Sequence, residues 1–124
     1  MLTFQISIHG GNEVSTGSLS IPFEQALASL AQLNRLFIEP DGSFVWRGVS
    51  RDGSAWQVDG NLIDRGDSLA YVELKGCCPV EQFEMLLTAF GWPSMTLVFQ
   101  LTQRGEYLDE AEFRRLAASE AGAI

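Results

Sequence analysis

His9, Lys75 and the neighbouring Cys77 and Cys78 are this chain's whole stock of histidine, lysine and cysteine. General-base, Schiff-base, zinc and thiol chemistry draw mostly on those residue types. Few catalytic constellations can therefore be assembled. Cys78 precedes Pro79, where a strand is expected to pass into a helix, and a helix N-terminus stabilises a thiolate. Glu81 and Glu84 oppose that charge, and cysteine is often a buried residue. The reading adopted is a structural thiol. A thioredoxin-like site is excluded because no C-x-x-C is present.

His9 closes the first strand beside Gly10-Gly11. A general base there needs a nucleophile and an orienting carboxylate, and no motif supplies them. No G-x-S-x-G elbow occurs. Asp59, Asp64, Asp67 and Glu73 gather around one expected turn, but their spacing departs from the D-x-D-x-D-G calcium loop, and turns favour Asp for local hydrogen bonding. Neither phosphate-cradling glycine pattern is present. Arg65-Gly66-Asp67 matches an adhesion tripeptide by chance. These residues lead to no catalytic, cofactor or metal site. Cys78, His9, Asp59 and Glu73 remain the candidates should a ligand site exist.

The totals point the same way. The 124 residues suit one globular domain over 1–124 with a core of its own. Apolar residues make up 46% and charged residues 19%, which leaves apolar surface to spare for an interface. The formal charge is −8, which disfavours nucleic acid and anionic membrane as partners. No secretory leader is expected and no apolar run is long enough to span a bilayer. Adjacent cysteines bridge only with severe strain, so two free thiols suit a reducing cytoplasm.

The elements that must position these residues follow from periodicity. Leu2, Phe4, Ile6 and Ile8 alternate with polar residues, as in a half-buried strand. Gly10-Gly11-Asn12 turns the chain toward a short return strand near 16–20. Pro22 suits a first helical position, and Phe23, Ala26, Leu27, Leu30, Leu33 and Phe37 follow at helical spacing, predicting a helix over 22–35. Pro40-Asp41-Gly42 breaks the chain. A three-strand meander is expected at 43–49, 55–63 and 69–75. A three-residue Arg51-Asp52-Gly53 loop sets Trp46 opposite Val58, Gly48 opposite Trp56 and Phe44 opposite Gly60, with both tryptophans facing the core. A two-residue turn would put Arg47 there instead. The turn at 64–67 leaves its register open.

Pro79 opens a second helix with a Val80, Phe83, Leu86, Leu87, Phe90 stripe, ended by Gly91. Met95, Leu97, Phe99 and Leu101 alternate as a strand. Asp109 and Glu112 form a capping box for a last helix to about Ser119. The expected class is α+β: two layers, a mainly antiparallel sheet with helices on one face, in the order hairpin, helix, meander, helix, strand, helix. Side chains left for the second face include Gln5, Ser7, His9, Gln57, Asp59, Asn61 and Gln100.

From Pro22 onward this order, with the acidity, the small size and the Gly76-Cys77-Cys78-Pro79 junction before a Phe/Leu-rich helix, resembles the type III secretion chaperones. The resemblance covers about 100 residues and rests on order and composition; the N-terminal hairpin is additional to it. It implies homodimers that bind effector segments. The expectation is a non-enzymatic protein-interaction module, chaperone-like or regulatory. The alternative is a small enzyme or ligand-binding protein using Cys78 or the polar face with His9, Asp59 and Glu73. A homodimer is expected to form through Val45, Val49, Ile63 and Val98 on the uncovered face.

Overall fold

A computed structural model describes residues 1–119. Residues 120–124, part of the single-domain expectation, lie outside the described residues. The class is α+β, and strand outweighs helix, 47% against 24%. In chain order the strands are β1 (Leu2–Gly11), β2 (Thr16–Gly17) and β3 (Leu19–Pro22), then helix α1 (Phe23–Ala31). Strands β4 (Leu36–Ile38), β5 (Ser43–Val49), β6 (Ala55–Arg65) and β7 (Ser68–Cys78) lead to α2 (Val80–Ala89). β8 (Leu97–Leu101), β9 (Tyr107–Asp109) and α3 (Glu110–Ser119) complete it. The sheet is antiparallel throughout, in the order β4-β5-β6-β7-β1-β8-β9, with β2 on β1 and β3 on β7.

β1 sits in the centre because it can be buried. Its even-numbered residues Leu2, Phe4, Ile6 and Ile8 are all in the core, and both its edges are paired, to β7 and to β8. The meander adopts the expected pairing: Trp46 faces Val58, Gly48 faces Trp56 and Phe44 faces Gly60. Gly53 has φ 88°, as a left-handed loop residue must. Gly48 is required for a different reason: a Cβ there would collide with the Trp56 ring. Trp46 and Trp56 stand edge to face, centroids 5.2 Å apart. The open turn closes on two residues, Gly66 and Asp67, with Arg65 opposite Ser68 and a bulge between Ile63 and Asp64.

Helix α1 ends four residues before the expected boundary. Gln32 and Leu33 close short bonds back to Ser29 and Leu30, and Arg35 takes a left-handed φ of 68°. The chain then becomes β4, and Phe37, whose spacing suited the helical stripe, instead pairs with Val45 and is 68% exposed. β9 has no counterpart among the expected elements, because three residues are too few for a period to show. The return strand near 16–20 exists but splits between two partners, β2 on β1 and β3 on β7.

One apolar cluster joins the sheet to all three helices. Its centre is aromatic: Phe83 of α2 lies 5.2 Å from Phe4 and 5.5 Å from Phe113 of α3, which stacks on Phe99 at 4.8 Å. The capping box forms as expected: Glu112 N donates to Asp109 Oδ1 at 2.8 Å, and Asp109 N to Glu112 Oε1 at 3.2 Å. Arg114 ties α3 to α2, reaching Glu84 at 2.9 Å and Glu110 at 3.0 Å.

Trp56→Ala opens a cavity above Gly48 and takes one ring from the tryptophan pair. Urea unfolding should show a loss of about 3–5 kcal/mol. A loss below about 1 kcal/mol would contradict this packing.

Candidate functional site

The sheet face turned away from the aromatic core carries most of the expected candidates in transverse rows set by the register. One row runs Ile63, Tyr71, His9, Val98, Asp109, and the next runs Asn61, Glu73, Ser7, Gln100, Tyr107. A third holds Phe37, Val45, Asp59, Lys75 and Gln5.

His9 is stacked on Tyr71 at 5.2 Å and meets Tyr107 edge-on at 5.8 Å. Its Nε2 lies 2.8 Å from Ser7 Oγ, a nucleophile-to-base distance that the sequence concealed because the two residues alternate along one strand. Ser7 has a second partner. Gln100 Nε2 donates to Gly105 O at 3.4 Å, so its Oε1 faces Ser7 and accepts the hydroxyl proton at 3.2 Å. The Ser7 hydroxyl is thus shared between His9 and Gln100. Among the described residues no carboxylate accepts from its other ring nitrogen. Burial holds the His9 pKa below its ordinary value.

Asp59 and Glu73 do come together. With Gln5, Asn61, Lys75 and Thr102 they border a shallow depression of about 270 Å³ on this face, one that His9 does not line. Cys78 is elsewhere. It ends β7 on the core side, opposite Leu2 and wholly buried, and burial, with a smaller contribution from Cys77, pushes its thiol up to about 12. A neutral thiol with no access to solvent is not a nucleophile. The described residues include one further carboxylate group, Glu13, Asp109 and Glu112, with oxygens within 4.8 Å of one another. Two of these are the capping box. Glu13's pKa is raised, by desolvation first and by Glu112 next.

The four-residue apolar patch expected on this face is not one surface. Val98 is only 1% exposed, enclosed between His9 and Asp109 where loop 12–15 reaches α3, and an Asp there would be a buried charge rather than a dimer breaker. Val45 and Ile63 are half-buried, with the Ser43–Asn61 pair between their rows.

The exposed apolar side chains gather at another place. Val49, Val80 and Met85 are 60%, 44% and 47% exposed and border two adjoining depressions, of about 460 and 330 Å³, that share Val49, Trp56 and Gln82. The groove runs from the β5–β6 hairpin past α2 to the end of α1. α1 stops at Ala31, and residues 32–35 after it border the groove together with Gln82 and Met85 of α2. Arg35, Arg47 and Arg51 stand around it, three of the eight basic residues, against only Asp52 and Glu81 of the sixteen acids. No local pattern signals this site, because its residues come from four separate segments. The chain matches no known protein family, no curated protein and no solved structure. No helix among the described residues is long and apolar enough to cross a membrane.

Two measurements check these placements. The lowered pKa means that the unfolded chain takes up the His9 proton first as pH falls, so the stability held by neutral His9 is present above about pH 6.5 and lost below it. The drop in urea midpoint between about pH 7.5 and 5.5 should therefore be smaller in His9→Gln than in the native chain; equal drops would show that His9 is not coupled to folding. In a Cys77→Ser background, iodoacetamide should label Cys78 slowly when folded and quickly in denaturant. Labelling of the folded protein as fast as a free thiol would overturn the buried assignment.

Proposed function

We propose that this chain is a non-enzymatic protein-interaction module, chaperone-like or regulatory, acting in the cytoplasm through the groove over Trp46 and Trp56. The reading takes the helices as a single layer on the core face of the sheet, with the groove at the layer's open end. One observation carries it: the exposed Val80 and Met85, the buried tryptophan pair beneath them and three arginines border one concave place on an otherwise acidic molecule. Trp and Arg are favoured at binding hot spots and Met is enriched in interfaces, and an exposed apolar cluster rimmed by polar groups marks an interface. Met85 adds an adaptable surface. The two unpaired cysteines support a reducing compartment. The paired-face homodimer loses Val98 from its basis, so this proposal rests on the groove and not on self-association.

The alternative, a small polar ligand on the sheet face, keeps Asp59 and Glu73 in one depression but loses His9 from it and Cys78 to the core.

Peptides selected by display against the native chain should bind at least tenfold more weakly to a Val80→Gln/Met85→Gln variant, a loss of about 1.4 kcal/mol. Val14→Gln, which alters an exposed valine in the loop before β2, should bind them unchanged. Equal binding by the groove variant would place the interaction elsewhere.

A further inference from the structure

β5 has a free edge beside this groove. β4 pairs only with Phe44, Val45 and Trp46, whereas β6 follows the other edge as far as Val49. Glu39 N donates to Ser43 O, so odd-numbered residues of β5 direct their backbone groups toward β4. Ser50 N donates across the hairpin to Ser54 O, which gives even-numbered residues the β6 side. Arg47 lies opposite Arg35, the last residue before β4, so the N–H and C=O that point to an edge no strand occupies among the described residues are those of Val49. β4 stops short because the left-handed Arg35 turns the chain away, and Trp46 Nε1 fastens that turn by donating to Asn34 O at 2.8 Å.

We infer that the groove binds an extended peptide segment as an added strand along Arg47–Val49, with one apolar side chain over Trp46 and Trp56 and acidic residues on either side of it. The inference rests on the reading of the groove as the binding site and adds the partner's conformation and charge. A helix spends its backbone groups internally; only an extended segment, running on from the line of β4, can satisfy those of Val49. Side chains alternate along a strand. The residue opposite Gly48 thus points to the core side, into the depression beside Trp56, where Gly48 itself contributes no side chain. Its two neighbours point to the other face, where Arg47 lies, and Arg35 and Arg51 flank the same edge. The rim thus favours carboxylates, although the molecule as a whole repels them at −8.

The test uses the full chain, isotope-labelled for NMR, and the capped peptide Thr-Val-Glu-Leu-Glu-Val-Thr. Saturable shifts should appear at Arg47–Val49 and at the Trp46 and Trp56 indoles, and weaken with salt. Replacing both Glu by Lys, or N-methylating both Glu amides, should each weaken binding at least tenfold. Val49→Pro removes a donor that faces only the free edge and should do the same while the rest of the spectrum keeps its folded pattern. If the N-methylated peptide binds as well as its parent and the Val80→Gln/Met85→Gln variant does not, the groove stands and strand addition is overturned. Equal binding of the Lys peptide overturns the charge assignment. No saturable shift at millimolar peptide, or shifts confined to the β9 edge, overturns the inference while display-selected peptides still report on the groove. Concentration-dependent shifts at Arg47–Val49 without peptide would give the edge to a second copy of this chain and overturn it too.

Discussion

The rest of the molecule depends on β1 lying between β7 and β8. Among the described residues it is the sole link between the four strands β4 to β7 and the pair β8–β9. Its core-facing residues, Leu2 to Ile8, lie beneath the aromatic cluster in which α2 and α3 meet, through the Phe4–Phe83 contact. Its partners lie about 60 to 100 residues away along the chain, so the central pairing is non-local and the loop entropy must be overcome before the core forms. Burial of Phe, Leu and Ile on the inner face, each contributing about 1.5–3 kcal/mol, provides the opposing term.

That central position also fixes what the polar face can do. Ser7 and His9 alternate on β1 between paired strands, so their neighbours are decided by register: Tyr71 and Glu73 on one side, Val98 and Gln100 on the other. The result is a set in which Ser7 hydrogen-bonds His9 and Gln100 and His9 stacks on Tyr71. A face assembled in this way organises the sheet. At the far edge the constraint is relaxed. The three-residue β4 leaves the end of β5 uncovered, and Val80 and Met85 of α2 stand exposed beside it, so surface able to receive a partner collects there. Charge follows the same division: acids dominate the chain, while three arginines stand at the open edge.

Much of this was legible in the residues. Alternation gave β1, β5, β6 and β8, because period 2 is a direct consequence of pleating. The Arg51-Asp52-Gly53 loop gave the register of β5 on β6, since one choice alone keeps Arg47 out of the core. Pro22 and Pro79, each an extended residue just before its helix rather than the first helical one, and the Asp109–Glu112 box marked helix starts, because these signals act between near neighbours. The shortage of histidine, lysine and paired cysteine set the poor prospects for catalysis.

What the sequence could not contain is anything made by distant segments meeting. Phe37 keeps helical spacing, yet Arg35 breaks the helix and β5 captures Leu36–Ile38; pairing with a strand outweighed a local period. Val98 looks like a solvent-facing strand residue and is buried between His9 of β1 and Asp109 of β9. The order that places β1 at the centre, the contact of Ser7 with Gln100, and the groove between α2, residues 32–35 and the β5–β6 hairpin arise only when residues far apart in the chain are packed together. By itself the sequence determined periods, caps and the stock of reactive groups, all of which act between near neighbours. The tertiary structure alone decided which surfaces are covered and which stay open, because burial depends on what the remainder of the chain brings over each residue.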